Sequence, residues 1–161
     1  MIGHEYIKQQ VAIAIANSTE VRDFCIREFG RGLQVIVNAY GAKGWPGEEE
    51  SPFAFLYSDG ENESGNVAEE TFEIVCVIGA ASATDGTDCV TEAARTNEQN
   101  GLVINGMAEK IEALRGIVEE IVRAGDFGAV LDTTTRTESA VLDWPLEWAT
   151  LRLGFYEPET L

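Results

Sequence analysis

Residues 71–80, Thr-Phe-Glu-Ile-Val-Cys-Val-Ile-Gly-Ala, form the stretch around which the rest of the chain can be arranged. Its side chains alternate with the period of two that places successive residues on opposite faces of a sheet. One face is uniformly apolar: Phe72, Ile74, Cys76 and Ile78. Because Val75 and Val77 make the other face apolar as well, the pattern predicts a central strand that is covered on both sides.

The segment before this strand predicts its first partner. Residues 52–57, Pro-Phe-Ala-Phe-Leu-Tyr, read as a strand, and Pro52 suits the first position, where a missing N–H is least harmful. The two strands are expected to pair as a meander, with a polar, acidic turn over about residues 58–69. Two further segments without apolar periodicity, about residues 41–51 and 81–99, are predicted to be mobile loops.

Helical spacing of apolar residues occurs three times in the chain. Residues 5–16 predict one N-terminal helix, and Asn17 is expected to cap a second helix that ends at Gly30. The longest apolar stripe is Ile104, Met107, Ile111, Leu114, Val118 and Ile121. With charged residues such as Glu119 and Arg123 expected on the opposite face, it predicts an amphipathic helix of about six turns.

Three more alternating segments complete the order of elements. Residues 33–37 predict a strand after the N-terminal helices, and residues 130–137 and 146–157 predict two strands after the long helix. The order α-α-β-β-β-α-β-β predicts an α+β fold, in which a small mixed or antiparallel sheet packs against one long helix plus the N-terminal helices. A length of 161 residues fits a single domain spanning residues 1–161.

The charge of the chain is concentrated in its middle. The net charge is −17, and twelve acidic residues but no basic one lie between Lys43 and Arg95. Affinity for phosphate depends on Lys and Arg, so specific binding to nucleic acid or to an anionic membrane surface is disfavoured. We expect neither a signal peptide nor a membrane span, because no apolar run is long enough and no basic segment leads into one.

The histidine and cysteine residues do not form a catalytic pattern. His4 is the only histidine and lies near the terminus, so a histidine-based relay or metal cluster is not expected. Three widely spaced cysteines give neither a disulfide framework nor a zinc pattern, which indicates a reducing compartment. Cys25 and Cys76 are predicted to be small core residues. Cys89 has acidic neighbours, which suppress the reactive thiolate.

The glycine-rich and acidic segments also lack the spacing of known sites. Residues 41–47 match neither the Walker nor the Rossmann pattern and lead into three glutamates, which suit phosphate poorly. Residues 59–63 offer alternating oxygen ligands but not the twelve-residue calcium loop. The chain is therefore predicted not to be an enzyme, and no cofactor or metal is predicted.

The candidate functional residues are instead an aromatic side chain and the acids around it. Trp45 lies on a polar loop, where an indole is harder to explain as core than as an interface anchor. Acidic loops on a rigid sheet create a field of one sign, which suits a partner surface or a channel. The candidate interface or lumen residues are Trp45, Glu48, Glu49, Glu50, Asp59, Glu61, Glu63, Asp85 and Asp88.

Four segments carry a resemblance that covers nearly the whole chain. They are residues 51–56 (Ser-Pro-Phe-Ala-Phe-Leu), residues 70–79 (Glu-Thr-Phe-Glu-Ile-Val-Cys-Val-Ile-Gly), Asn100-Gly101 at the start of the long helix, and residues 144–155 (Trp-Pro-Leu-Glu-Trp-Ala-Thr-Leu-Arg-Leu-Gly-Phe). In this order the chain resembles the tail terminator, or tail completion, proteins of long-tailed bacteriophages and prophages.

The resemblance implies a small α/β domain, with a sheet and flanking helices, that acts without catalytic residues. Such proteins cap the completed tail tube as a ring, commonly a hexamer, and offer the other ring face to the head–tail connector. The implied partners are further copies of the chain, the tail tube protein and a connector or neck protein. DNA passes through the ring, and the implied location is the host cytoplasm during assembly and then the virion tail. An acidic lumen that keeps DNA from sticking is a hypothesis that follows.

Other function classes stay open at this point. The chain can be another neck or head–tail joining protein, a non-catalytic α+β adaptor or regulatory domain, or a small enzyme that uses carboxylates or a metal. Symmetric self-association separates the ring-forming proteins from the other two classes, because a ring needs two different contact patches on every subunit.

Overall fold

The computed structural model describes residues 3–38, 44–63, 69–81, 106–143 and 146–158. Within these ranges, the helices and strands follow the predicted α+β order. The elements are α1 (His4–Ala16), α2 (Thr19–Phe29), β1 (Gln34–Val37), a 3-10 helix (Glu48–Glu50), β2 (Phe53–Glu63), β3 (Glu69–Ala81), α3 (Met107–Ala124), β4 (Val130–Asp143) and β5 (Leu146–Pro158).

The strands form one mixed sheet in the order β1-β2-β3-β5-β4. β1 pairs with β2 in parallel, with Gln34 opposite Phe53, and the other pairs are antiparallel. β3 is thus the central strand, as predicted. Both of its faces are apolar because both are covered by other parts of the chain, as the sequence suggested.

The main core lies between the sheet and the helices. α1 packs on β1 and β2, α3 packs on β3, β5 and β4, and α2 lies against α1 and α3. The buried stripe of α3 includes Ile111, Leu114 and Val118, each with no exposed surface. Burying a side chain of this size stabilises the fold by roughly 1.5–3 kcal/mol, so the predicted amphipathic stripe supplies much of the packing energy.

Two of the cysteines belong to this core. Cys25 on α2 and Cys76 on β3 are both free thiols with no exposed surface. Burial raises the pKa of each thiol to about 12, so both stay protonated at neutral pH. The prediction that they act as small core residues is confirmed, and Cys89 lies outside the described residues.

The polar turn predicted over residues 58–69 is wrong for its first part. β2 continues through Glu63, and β3 begins at Glu69. The backbone of the extension pairs with β3, for example Glu61 with Phe72, after a bulge that follows Ser58. Turn-forming residues are tolerated there because the partner strand satisfies their backbone hydrogen bonds.

The other predicted loops are tested only in part. The segment predicted over residues 41–51 contains the 3-10 helix Glu48–Glu50. The segment predicted over residues 81–99 lies outside the described residues except for Ala81, which ends β3. The strand predicted over residues 130–137 extends further, to Asp143.

The helix boundaries correct one predicted cap and confirm another. Asn17 ends α1, and the N-cap of α2 is Ser18, whose Oγ accepts a hydrogen bond from the Val21 N–H at 3.2 Å. The two residues are both good caps, and spacing alone did not separate them. Gly30 ends α2 as predicted, with the positive φ of 80° that glycine adopts without strain. The first part of the stripe predicted for the long helix lies outside the described residues.

Candidate functional site

The parallel pairing of β1 and β2 explains where Trp45 lies. A parallel connection must return from the end of one strand to the beginning of the next, across a face of the sheet. Helices α1 and α3 occupy one face, and no helical residue in the described ranges joins the apolar cluster on the other face. Trp45 belongs to the β1–β2 connection and contacts aromatic residues of that second face.

We define the aromatic cluster as Trp45, Phe55, Tyr57 and Trp148. The ring centroid of Trp45 lies 5.3 Å from that of Phe55, 5.8 Å from Tyr57 and 6.3 Å from Trp148. The rings are tilted or edge-on, which are favourable arrangements for aromatic pairs at these distances. The cluster joins the β1–β2 connection to two strands that are not neighbours.

Small residues on the central strand allow this convergence. β3 separates β2 from β5, and at this level it contributes Val77 and Gly79 to the second face. Phe53 lies over Gly79 so closely that a methyl group there would stand 2.4 Å from Cζ of Phe53. Large side chains from β2 and β5 can therefore meet above β3.

Trp45 is more exposed than the three rings that it contacts. Phe55 is buried, and Tyr57 and Trp148 are half-buried, but Trp45 remains 49% exposed. Exposed large aromatics that are fixed by neighbouring rings are typical anchors of protein interfaces, because they bury much area at little entropic cost. The interface role of Trp45 stays a prediction.

The 3-10 helix holds three predicted acids beside the same connection. Glu50 accepts a hydrogen bond from the Gly47 N–H at 2.7 Å, so its carboxylate fixes the turn. Arg31 donates to the carbonyl of Glu49 at 3.2 Å, and the Ala81 N–H donates to Ser51 Oγ at 2.9 Å. These bonds attach the segment to the end of α2 and to β3. Glu48 and Glu49 are exposed.

The structure brings together some of the predicted site residues and does not test the rest. Trp45 and Glu48–Glu50 lie on one short segment, and Trp45 contacts the second face. The side chains of Asp59, Glu61 and Glu63, which lie on the β2 extension, are outside the described residues, as are Asp85 and Asp88 altogether. Phe55, Tyr57 and Trp148 were not predicted as site residues. The sequence signal that could have identified them is the alternation that places aromatic residues on one face of a strand.

A second charged feature was also missed, and we call it the arginine flank: Arg115 and Arg123 on α3 and Arg136 on β4. Arg123 and Arg136 contact Glu119, which was predicted on the exposed face of the helix but is only 7% exposed. The prediction was wrong because β4 runs along this side of α3. The spacing of four between Arg115, Glu119 and Arg123 was visible in the sequence, but the contribution of Arg136 from another element was not.

The arginine flank is a hydrogen-bonded network. Arg136 donates twice to the carboxylate of Glu119, once at 2.6 Å through Nε. Arg123 contacts the same carboxylate at 3.3 Å and donates to Thr134 Oγ1 at 2.6 Å. Arg115 donates to the carbonyl of Thr137. The hydrogen bonds from Arg136, and then those from Arg123, lower the pKa of Glu119 although burial opposes them.

Other buried charged groups are explained by their place in the fold. Lys8 is buried and donates to Glu5 at 2.8 Å and to Ser58 at 3.0 Å. These contacts, led by Lys8 and then Asn38, lower the pKa of Glu5 to about 2. Glu147 on β5 is 5% exposed, and burial raises its pKa.

His4 is the first residue of α1 and belongs to a stack of aromatic rings. Its ring stacks on Phe72 with 3.9 Å between centroids, and Phe72 stacks on Phe155 at 5.5 Å. Within the described part of the chain, no group of three or more His, Cys, Asp or Glu side chains is arranged to hold a metal ion. None of the described helices is both long enough and apolar enough to cross a membrane.

Neither protein-family models nor curated proteins match this chain. The described residues that bear most on function are therefore those of the aromatic cluster, the 3-10 helix and the arginine flank.

Proposed function

We propose that this chain is a structural, non-enzymatic assembly protein of the tail-terminator kind. Copies of the chain form a ring, which we expect to be a hexamer, at the end of a phage tail tube. The ring contacts the tail tube protein on one side and a head–tail connector or neck protein on the other. DNA passes through it without specific binding, and the protein moves from the host cytoplasm into the virion tail during assembly.

The observation that carries this proposal is the exposure of Trp45. Its indole is 49% exposed although three other aromatic rings fix its position. Unless a partner covers it, such a side chain presents apolar area to water. Because interfaces obtain most of their binding energy from a few aromatic and arginine anchors, the aromatic cluster favours a protein partner.

The charge of the chain supports the second part of the proposal. The net charge is −17, and Glu48 and Glu49 are exposed on a segment that hydrogen bonds attach to α2 and β3. A negative surface repels the phosphates of DNA, since binding to DNA requires Lys and Arg to displace counterions. This suits a protein through which DNA must move.

The fold and the order of segments add support of a different kind. The α+β domain, with one mixed sheet and helices on one face, is the class that the resemblance to tail terminators implies. The Pro-Phe strand and the closing apolar strand, which carry that resemblance, are β2 and β5 and lie on either side of β3. The resemblance remains one of pattern, and the fold alone is shared by many functions.

Self-association tests the proposal most directly. We expect sedimentation velocity and negative-stain images of the purified chain to show a closed ring, with the mass of about six copies of the 17.5-kDa chain. We further expect the ring to bind isolated tail tubes at one end. A chain that stays monomeric at high concentration, with or without tubes, contradicts the proposal.

A matched pair of variants tests the role of Trp45 in this assembly. We expect Trp45→Ala to weaken association at least about tenfold, as removal of an interface anchor commonly does. Tyr6→Ala is the control, because Tyr6 is an equally exposed aromatic residue, at 54%, on the helix side of the molecule. Equal effects of the two substitutions would show that Trp45 is not the anchor.

A further inference from the structure

Two surfaces of the chain are complementary in chemistry but lie on opposite faces of the sheet. The aromatic cluster lies on the second face, and the acidic 3-10 helix follows Trp45 in the same connection. The arginine flank lies on the helix side, because Arg136 bonds to Glu119 of α3. The sheet separates them, so one copy cannot bring the two surfaces together.

The arginine flank carries positive charge that its own acid does not balance. Arg123 and Arg136 share the one carboxylate of Glu119, and their side chains are each 52% exposed. On the second face, by comparison, Arg152 pairs with Glu73 at 2.5 Å. With 11 basic residues in a chain of net charge −17, this concentration is distinctive.

The chemistry of the two surfaces defines their fit. A guanidinium binds well over the face of an indole, with a gain of about 0.5–2 kcal/mol, and it donates paired hydrogen bonds to carboxylates. Trp45 offers an exposed indole, and Glu48 and Glu49 offer exposed carboxylates close to it in the chain. An arginine-rich partner surface satisfies both groups at once.

We propose that the aromatic cluster with Glu48 and Glu49 of one copy receives the arginine flank of a second copy of this chain. This inference rests on the proposed ring-forming function and names the contact that builds the ring. The contact joins two different surfaces, so every copy uses both, and repetition closes a ring or extends a filament. The negative charge of the chain then contributes to assembly as well as to the passage of DNA.

Charge reversal on each side tests this contact. The acid-side variant is Glu48→Arg with Glu49→Arg, and it keeps Glu50, whose carboxylate fixes the turn. The base-side variant is Arg115→Glu with Arg123→Glu, and it keeps Arg136, the main partner of Glu119. We expect each variant alone to associate at least about tenfold more weakly than the wild-type chain, because like charges then face each other.

The combined variant distinguishes a direct contact from a general effect of charge. With both sides reversed in the same chain, opposite charges face each other again, and we expect association to return to within about threefold of wild type. An equimolar mixture of the two one-sided variants is expected to associate as well, since each supplies the surface that the other lacks.

Matched controls come from α2, which bears exposed residues of both signs. Glu20→Arg with Asp23→Arg, and Arg22→Glu with Arg27→Glu, change the net charge by the same amounts and are expected to leave association unchanged. Sedimentation velocity at several salt concentrations measures association, and thermal melting checks that each variant is folded. Trp45→Ala supplies a test that changes no charge.

The outcomes separate this contact from the proposed function. The proposed contact is contradicted if both one-sided variants form rings as tightly as wild type, or if the combined variant associates as weakly as they do. Neither result contradicts the ring itself. If the wild-type chain does not associate at all, the ring and the contact are both contradicted. If association recovers in the combined variant while each one-sided variant stays weak and the controls are unchanged, the contact and the ring are both supported.

Discussion

The two faces of the sheet differ in the size and variety of their side chains. The helix-covered face is mostly aliphatic on β1, β2, β3 and β5 and lies under α1 and α3. The second face has a smaller apolar cluster, an exposed Trp45, and polar pairs such as Glu73 with Arg152. The first face has the composition of a core, and the second has the composition of an interface, with an apolar centre and a polar surround. We infer that the helix-covered face mainly stabilises the fold, whereas the second face keeps apolar surface exposed.

Adjacent residues on β5 give the sharpest test of this difference. Leu151 faces the helices and has no exposed surface, whereas Thr150 faces the other way and is half-buried. We expect Leu151→Ala to lower the free energy of unfolding by about 3 kcal/mol, through lost burial and a residual cavity. Thr150→Ala loses the hydroxyl contact with Thr137 and is expected to cost about 1 kcal/mol or less. Urea unfolding measures both, and equal losses would remove the distinction between the faces.

Glu119 tests whether charge on the helix side is structural. Its carboxylate is buried among arginines, so we expect Glu119→Gln to cost about 2 kcal/mol at pH 7. The pKa of Glu119 is lowered in the folded chain. Its contribution is therefore present above the ordinary glutamate pKa and is lost as the pH falls through the lowered value.

Unfolding measured from neutral to acid pH checks the Glu119 prediction. The difference between wild type and Glu119→Gln should shrink as the pH falls. Glu120→Gln, at the exposed neighbouring position, is the control and is expected to change stability by less than about 0.5 kcal/mol. A difference that does not vary with pH would show that shape rather than charge matters at Glu119.

Gly79 tests how closely the second face is packed. A methyl group there would overlap the ring of Phe53, which has no exposed surface, so Gly79→Ala is expected to cost about 1–3 kcal/mol. Gly116→Ala is the control, because nothing lies within 4 Å of its added methyl group and α3 gains helix propensity of up to about 1 kcal/mol. Thermal unfolding should therefore shift in opposite directions for the two substitutions. A neutral Gly79→Ala would show that Phe53 can move away.

Substitution of Glu147 has the smallest expected effect on the free energy of unfolding, and the sign of that effect is opposite to that for Glu119. Burial raises its pKa, so the folded chain holds this proton more tightly than the unfolded chain does. The charged form costs stability once the pH rises above the ordinary pKa, and that cost is complete above the raised value. We expect Glu147→Gln to stabilise the chain by about 1 kcal/mol at pH 7 and to have no effect at acid pH. Unfolding at the two pH values measures this, and a loss of stability at pH 7 would contradict it.

The fold was largely predictable because its elements are periodic over many residues. The alternation of residues 71–80 identified the central strand, and the stripe through Leu114 identified the long helix. Boundaries were less predictable, because they depend on competing local bonds. Ser18 rather than Asn17 caps α2, and backbone pairing with β3 extends β2 through polar residues.

The candidate site was predictable only in its local part. Trp45 and the three glutamates are close in sequence, and their composition marked them as a possible surface. The contact of Trp45 with Trp148 depends on β3 lying between β2 and β5 and carrying Gly79 at that level. The bonds between Glu119 and Arg136 likewise depend on how β4 lies beside α3. Contacts of this kind depend on the order of strands, which periodicity alone does not determine.

The short parallel strand β1 has a consequence for motion within the native state. It is a four-residue edge strand, flanked by bonds from Gln34 N–H to the Pro52 carbonyl and from Asn38 N–H to the Leu56 carbonyl. If β1 detaches, the four long antiparallel strands keep their ladders. We expect amide hydrogens in β1 to exchange with solvent much faster than those in β3, because local opening needs less free energy than global unfolding. β1 is then expected to sample a paired and an open form while the rest of the sheet stays closed.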